Sequence, residues 1–258
     1  MTDLAITSHA NPRIKALVGL RDRSTRDSQR LFVVEGPRLV ERALAAGHQL
    51  VEVFYDPSRF DPGPLTGPSL YSCSAEVLSR ASYRASGEGV IAVLRQFDLG
   101  LSGLALPEAP LILVAEGIEK PGNLGAILRT ADAVGADAVI AVDPEIDPFN
   151  PNVVRSSTGA LFTVPMAVTG LENLVDWLRE AGIRLIGADP SADHDLWNID
   201  FTLPCALLVG AEHGGLTDRA RQAADGLVSI PMRGTTDSLN ASVTIALLAY
   251  EALRQRRA

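Results

Sequence analysis

Polar residues that could take part in binding or catalysis cluster near the end of the sequence, just before a strongly apolar run. Residues 230–240 read Ile-Pro-Met-Arg-Gly-Thr-Thr-Asp-Ser-Leu-Asn. Pro231 cannot donate to a strand ladder, so a strand is expected to end there. Asp237, Ser238 and Asn240 are each good caps for the helix that follows. The free N–H groups of such a helix start can bind an anion or the polar rim of a nucleotide-like cofactor, and a plain helix cap is the alternative.

Two glycine-containing stretches lie upstream: the first lies between an apolar strand and a helix, and the second is a strand that runs into a glycine-rich loop. Residues 122–129 read Gly-Asn-Leu-Gly-Ala-Ile-Leu-Arg, and residues 208–216 read Leu-Val-Gly-Ala-Glu-His-Gly-Gly-Leu. Arg129 falls one turn into an apolar helix, where it either serves a partner or a phosphate or lies on an exposed face. In the second stretch the glycines let the backbone approach a ligand, and Glu212 places a carboxylate at the end of a strand.

A dinucleotide-binding turn is the main alternative for the first stretch. A strand, a glycine-containing loop, a helix, a second strand and then Asp143 follow the order of that motif. The pattern Gly-x-Gly-x-x-Gly is absent, because the loop offers only Gly122 and Gly125. A dinucleotide-dependent oxidoreductase is therefore the competing hypothesis.

Composition indicates a globular protein: 47% of the 258 residues are hydrophobic, enough to bury a sizeable core. No segment has the pattern of a leader or the length of a membrane span, which predicts a cytoplasmic protein with no membrane partner. Cys73 and Cys205 suggest neither a disulfide framework nor a zinc knuckle. The four histidines share no ligand spacing, so no metal site is predicted.

The net charge of −8 is unevenly distributed along the chain. The first hundred residues carry twelve Lys or Arg against eleven Asp or Glu, whereas the remainder carries eleven against twenty. Basic residues are densest at Arg13, Lys15, Arg21, Arg23, Arg26, Arg30, Arg38 and Arg42. Such a cluster attracts a phosphate backbone, although a solvated helix face has the same composition. Nothing in it favours a DNA-binding helix-turn-helix.

The pattern of elements predicts two domains joined by a linker. Residues 1–98 predict a small α/β domain, and the glycines and prolines of residues 99–109 predict the linker. In the first domain, helices are predicted at 11–22, 37–46 and 74–81, strands at 31–34, 50–55, 69–72 and 90–95, and a polar loop at 21–30.

Residues 110–258 alternate apolar strands with helices, which predicts a parallel sheet covered on both faces. Strands are predicted at 111–115, 138–142, 162–168, 183–188, 205–209 and 227–230, and helices at 124–134, 171–181, 217–224 and 241–253. The last helix is apolar nearly all round, so it is expected to be buried inside the domain or against a second subunit.

Taken in order, the stretches at 122–129, 208–216 and 230–250 resemble the motifs of the SpoU-type (TrmH) family of RNA ribose 2′-O-methyltransferases. Residues 152–162 also resemble that family, and residues 31–40 resemble the small RNA-binding domain often found ahead of its catalytic domain. The resemblance implies a SPOUT methyltransferase domain with a C-terminal trefoil knot, an S-adenosylmethionine cofactor and a homodimer.

The resemblance also implies roles for particular residues. The implied catalytic residues are Asn123, Arg129, Glu212, Ser238 and Asn240. The implied cofactor-binding residues are Val209, Gly210, Glu212, Gly214, Ile230, Met232, Ser238 and Leu239.

The function that follows is transfer of a methyl group from S-adenosylmethionine to a ribose 2′-hydroxyl, with 23S ribosomal RNA as the favoured substrate. A transfer RNA 2′-O-methyltransferase is the alternative within the class. The oxidoreductase and a non-catalytic RNA-binding protein are the alternatives outside it.

Overall fold

The structure is a computed structural model that describes residues 5–63, 65, 67–83 and 88–257. The chain forms two compact units. Unit 1 comprises Met1–Phe97 and Asp147–Phe162, and unit 2 comprises Asp98–Ile146 and Thr163–Ala258.

Unit 1 is built on a four-stranded mixed sheet with the strand order β1-β4-β2-β3. The strands are β1 (Leu31–Glu35), β2 (Leu50–Tyr55), β3 (Ser69–Ser72) and β4 (Val90–Arg95), and the helices of the first ninety-seven residues are α1 (Pro12–Gly19), α2 (Arg23–Gln29), α3 (Pro37–Ala45) and α4 (Ala75–Ala81). Strand β4 pairs antiparallel with β1 and β2, and β3 pairs parallel with β2. Helices α1 and α4 pack Ile14, Leu17 and Val77 into one apolar core with this sheet.

Helix α2 lies where the sequence predicts a polar loop, so that prediction is wrong. Its one buried side chain is Arg26, which is 1% exposed. Because this buried residue is charged, the helix has no apolar stripe in the sequence. The Arg26 guanidinium donates to the Asp147 carboxylate, with Nε at 2.8 Å and Nη2 at 2.6 Å from Oδ2. Its Nη1 donates to the carbonyls of Leu20 and Arg21, at 2.9 and 2.7 Å. Arg26 is thus part of the core and is not available to a phosphate.

Residues 147–162 pack within unit 1, although the sequence assigns them to the second domain. This segment contains helix α6 (Pro151–Ser156), capped by the Asn150 side chain. The ring of Phe149 lies 4.8 Å from that of Phe32. Together with the Arg26 and Asp147 ion pair, this aromatic contact holds the segment on strand β1.

Unit 2 is built on a six-stranded sheet with the strand order β10-β8-β9-β5-β6-β7, and every pairing is parallel. Its strands are β5 (Leu111–Glu116), β6 (Ala138–Val142), β7 (Met166–Thr169), β8 (Arg184–Ala188), β9 (Cys205–Val209) and β10 (Gly226–Val228), and its helices are α5 (Pro121–Val134), α7 (Leu171–Glu180), α8 (Asp218–Ala223) and α9 (Ala241–Arg256). The predicted parallel sheet is confirmed. The trefoil knot does not follow from the strand order and stays a prediction.

Two elements in this part of the chain begin three or more residues away from the predicted start. Strand β7 begins at Met166, because residues 160–162 form a 3-10 turn within unit 1. Helix α5 begins at Pro121, three residues before the predicted start, because proline at the first helical position already has a helical φ. Gly122, Asn123 and Gly125 therefore lie in the first turns of a helix, not in a loop.

Helix α9 is buried on one face only. Ile245, Leu248 and Ala249 are buried. The opposite face exposes Val243, Leu247 and Tyr250 by 46%, 43% and 52%. Across the described residues, no helix is long and apolar enough to cross a membrane.

Candidate active site

A cavity of about 280 Å³ opens in unit 2 at the carboxyl ends of the parallel strands. Four segments line it: residues 188–190 at the end of β8, residues 209–215 at the end of β9, Arg221 of α8, and residues from the end of β10 into the first turn of α9. Ligands of open parallel sheets bind at this edge. All of the predicted cofactor-binding residues line this one cavity, namely Val209, Gly210, Glu212, Gly214, Ile230, Met232, Ser238 and Leu239.

The loop after β9 is a tight hairpin that only glycine permits. The N–H of Ala211 donates to the Gly215 carbonyl at 3.1 Å, and the N–H of Gly215 donates back at 3.0 Å. A Cβ at Gly210 would lie 2.0 Å from the Gly215 carbonyl carbon and oxygen. Gly215 also has a φ of +63°, which other residues rarely adopt. Because Gly210, Gly214 and Gly215 have no side chains, the backbone of this loop is bare, that is, its main-chain groups are accessible from the cavity. A cofactor bound by main-chain groups requires such access.

Three of the predicted catalytic residues form a hydrogen-bonded chain. The Asn123 Nδ2 donates to Glu212 Oε1, and the Asn240 Nδ2 donates to Asn123 Oδ1 at 3.1 Å. Asn240 is also the cap of α9, since its Oδ1 accepts from the N–H of Ser242 at 2.9 Å. The cap interpretation of Asn240 is therefore confirmed, and its role in catalysis stays a prediction. This chain ties α5, the β9 loop and the start of α9 together.

The Glu212 carboxylate is ionised and has acceptor capacity left. Burial raises the pKa of this carboxyl, but hydrogen bonds from backbone amides and from Asn123 outweigh burial and leave the pKa below its usual value. One of those amides is that of Lys120, which donates to Oε1 at 3.3 Å. Among the described residues, nothing donates to the buried Oε2. An unsatisfied acceptor of this kind is costly, so it is consistent with a ligand that donates to it.

Arg129 does not join this group within one chain. It lies on the exposed face of α5 and does not line the cavity. It lies six positions after the buried Asn123, which on a helix places the two side chains about 120° apart. No hydrogen bond or ion pair of Arg129 occurs within the described ranges. Its guanidinium is thus accessible to a ligand or to a second chain.

The Gly122 stretch does not have the geometry of a dinucleotide-binding turn. Gly122 is helical, and a Cβ there would meet nothing within 4 Å, so no close approach requires a glycine. Asp143, the acid of that alternative, accepts from the N–H of Leu171 at 3.3 Å at the start of α7. Both observations count against the oxidoreductase.

Sequence reasoning missed an ion pair on the cavity wall. Asp189 and Arg221 both line the cavity, and Arg221 Nε lies 2.5 Å from Asp189 Oδ2. The available signal was position alone, because Asp189 directly follows the carboxyl end of β8. In the described part of the chain, no group of three or more His, Cys, Asp or Glu could hold a metal ion.

Comparison with known proteins gives family matches over both units. The sequence model of the SpoU rRNA Methylase family matches residues 110–250, and that of the MRM3-like substrate binding domain matches residues 11–92. A curated relative from Streptomyces viridochromogenes, 23S rRNA (uridine(2479)-2'-O)-methyltransferase, is 34% identical and covers 94% of this chain and 88% of its own.

Solved structures match the fold over nearly the whole chain. A crystal structure of an RNA 2'-O ribose methyltransferase gives a TM-score of 0.87 at 42% identity, covering 99% of this chain and 100% of its own. The AdoMet-bound rRNA methyltransferase from Sinorhizobium meliloti gives a TM-score of 0.89 at 30% identity, with 97% of each chain covered.

Proposed function

Because the chain belongs to the SpoU rRNA methylase family, we propose that it transfers the methyl group of S-adenosylmethionine to a ribose 2′-hydroxyl of RNA. The observation that carries the proposal is the cavity at the carboxyl edge of the sheet, whose lining includes every predicted cofactor-binding residue. Its bare glycine loop and the unsatisfied Glu212 Oε2 fit a cofactor with donor groups and an apolar base. Ribosomal RNA is the proposed substrate class, because relatives are named for it and the amino-terminal unit matches a substrate-binding family. A cytoplasmic location belongs to the same proposal.

Bound S-adenosylmethionine supplies an electrophilic methyl group on its sulfonium. Ile230, Met232 and Leu239 line the cavity and would provide apolar contacts for the adenine, and Ser238 would hydrogen-bond the methionine part of the cofactor. Asn123 and Asn240 orient the ribose, and Glu212 fixes both through the hydrogen-bonded chain.

A sugar hydroxyl is a poor nucleophile, so the residues must orient it and stabilise charge that develops on its oxygen. Arg129, which lies outside the cavity of its own chain, would bind the substrate phosphate and that developing alkoxide through its exposed guanidinium. A guanidinium remains protonated in proteins, so Arg129 is not the base. The proton leaves through phosphate or water.

Cofactor class is tested by thermal unfolding. At a hundred times its dissociation constant, a ligand that binds only the folded state contributes about 2.7 kcal/mol, which corresponds to roughly 5–10 °C for a unit of this size. S-adenosylmethionine is expected to raise the melting temperature by this amount, and NAD is expected to have no effect. A rise with NAD alone would support the oxidoreductase instead.

A homodimer is proposed through the exposed face of α9. Val243, Leu247 and Tyr250 lie at helical spacing and form one apolar stripe that a monomer leaves in water. Sedimentation velocity is expected to give twice the 27.4 kDa chain mass, and Leu247→Glu is expected to give the monomer. A wild-type protein that sediments at 27.4 kDa at micromolar concentration would exclude the dimer.

A further inference from the structure

In the ion pair on the cavity wall, both carboxylate oxygens of Asp189 already accept hydrogen bonds. Asp189 is 4% exposed. Its Oδ1 accepts from the N–H and the hydroxyl of Ser191, at 2.8 and 2.6 Å, and its Oδ2 accepts from Arg221. Burial raises the pKa of the Asp189 carboxyl, but these hydrogen bonds lower it overall. Asp189 is therefore a fixed anion that holds its own loop and Arg221.

The Arg221 guanidinium is held by two carboxylates, and its third nitrogen, Nη2, has no acceptor among the described residues. Its Nε donates to Asp189, and its Nη1 donates to Asp218 Oδ1 at 3.1 Å. No described residue accepts from Nη2. This nitrogen lies 3.8 Å from the position that a Cβ would take on Gly215, at the base of the bare hairpin. The two N–H groups of Nη2 thus border the cavity. Their direction is fixed before any ligand binds, because Asp189 and Asp218 hold the guanidinium.

The charges around the cavity show which ligand group these donors suit. Within the described lining, Asp189 and Glu212 are the carboxylates, and Arg221 is the one permanently charged cation. S-adenosylmethionine carries two cationic centres, the ammonium and the sulfonium, and a single anion, the α-carboxylate. Guanidinium donors recognise a carboxylate through short, charge-assisted hydrogen bonds.

We infer that Arg221 binds the α-carboxylate of the cofactor through Nη2, and that Asp189 is the positioning residue that aims the guanidinium. This inference rests on the proposed function, because it requires S-adenosylmethionine in this cavity. It gives the cavity a means to distinguish the amino-acid end of the cofactor from a bare nucleoside. The binding partners that follow are S-adenosylmethionine and S-adenosylhomocysteine, both of which carry the carboxylate.

Calorimetric titration of the full chain with two ligands tests the inference. S-adenosylhomocysteine has the carboxylate, and methylthioadenosine has the same adenine and ribose without it. Arg221→Met is expected to weaken binding of S-adenosylhomocysteine by about 10- to 100-fold, the usual loss for a charged hydrogen bond, and to change that of methylthioadenosine by less than about threefold. Asp189→Asn is expected to give a smaller loss, again confined to S-adenosylhomocysteine.

Arg219→Met is the matched control, since Arg219 lies on the same helix, pairs with Glu172 and is not part of the cavity lining. It is expected to change neither affinity. Equal weakening of both ligands by Arg221→Met would overturn the inference and indicate contact with the ribose or a change in cavity shape. No weakening of either would also overturn it.

A measurement on the ligand covers the case of a variant that does not fold. Decarboxylated S-adenosylhomocysteine is expected to bind the wild-type chain at least tenfold more weakly than the intact ligand. Equal affinity of these two ligands would refute the role of Arg221 without any substitution. A wild-type chain that binds none of these nucleosides would instead refute the proposed function.

Discussion

Replacing Arg129 with alanine is expected to lower the rate of methyl transfer by about a hundred- to a thousandfold, the usual cost of losing one donor to a developing oxyanion. S-adenosylmethionine affinity is expected to change by less than about twofold, because Arg129 lies outside the cavity lining on the exposed face of α5. Single-turnover transfer and calorimetric titration, performed on the same preparation, separate the two quantities.

Two controls sharpen this prediction. Arg179→Ala removes an exposed arginine from α7 and is expected to leave the transfer rate unchanged. Arg129→Lys keeps a positive charge but loses the planar donor fork, so an intermediate rate is expected. If Arg129→Ala reduced transfer and cofactor affinity equally, the catalytic role assigned to this residue would be wrong.

Replacing Arg26 with methionine is expected to lower the free energy of unfolding by about 3–5 kcal/mol, because it leaves the buried carboxylate of Asp147 without its partner. The carbonyls of Leu20 and Arg21 lose a donor as well. Urea denaturation of the full chain, followed by circular dichroism, measures the change.

The double variant Arg26→Met with Asp147→Leu is expected to recover part of this loss, since it removes both buried charges. Arg23→Ala is the matched control on the same helix. Its pairing with Asp27 is solvent-exposed and 3.5 Å long, so a change below about 1 kcal/mol is expected. A loss for Arg26→Met no larger than that of Arg23→Ala would show that the buried pair does not stabilise unit 1.

The sequence predicts the elements of the fold best where apolar periodicity is strong. The parallel sheet follows from continuous apolar strands such as β5 and β9, which are buried along their whole length. Helix α2 could not be predicted in this way, because the side chain that anchors it is a buried arginine whose partner is 121 residues away. The packing of residues 147–162 on unit 1 depends on the same long-range ion pair and on a ring contact.

The candidate site also contains some features that the sequence predicts and others that only the folded chain reveals. Motif resemblance brings together residues from the loops after β9 and β10, and all of its cofactor residues meet at one cavity. The chain from Asn240 through Asn123 to Glu212 joins positions 117 and 89 residues apart, so no local pattern indicates it. Asp189 and Arg221 belong to no motif used in the sequence analysis, and only the folded arrangement of β8 and α8 brings them into contact. Arg129 lies on the exposed face of α5, and its catalytic role stays a prediction.

The most direct test of the central claim is transfer of labelled methyl from S-adenosylmethionine to unmodified ribosomal and transfer RNA transcripts, followed by digestion to nucleosides. The expected result is label on a 2′-O-methylated nucleoside released from ribosomal RNA. Label on a base, or a chain that neither binds the cofactor nor labels any RNA, would contradict it.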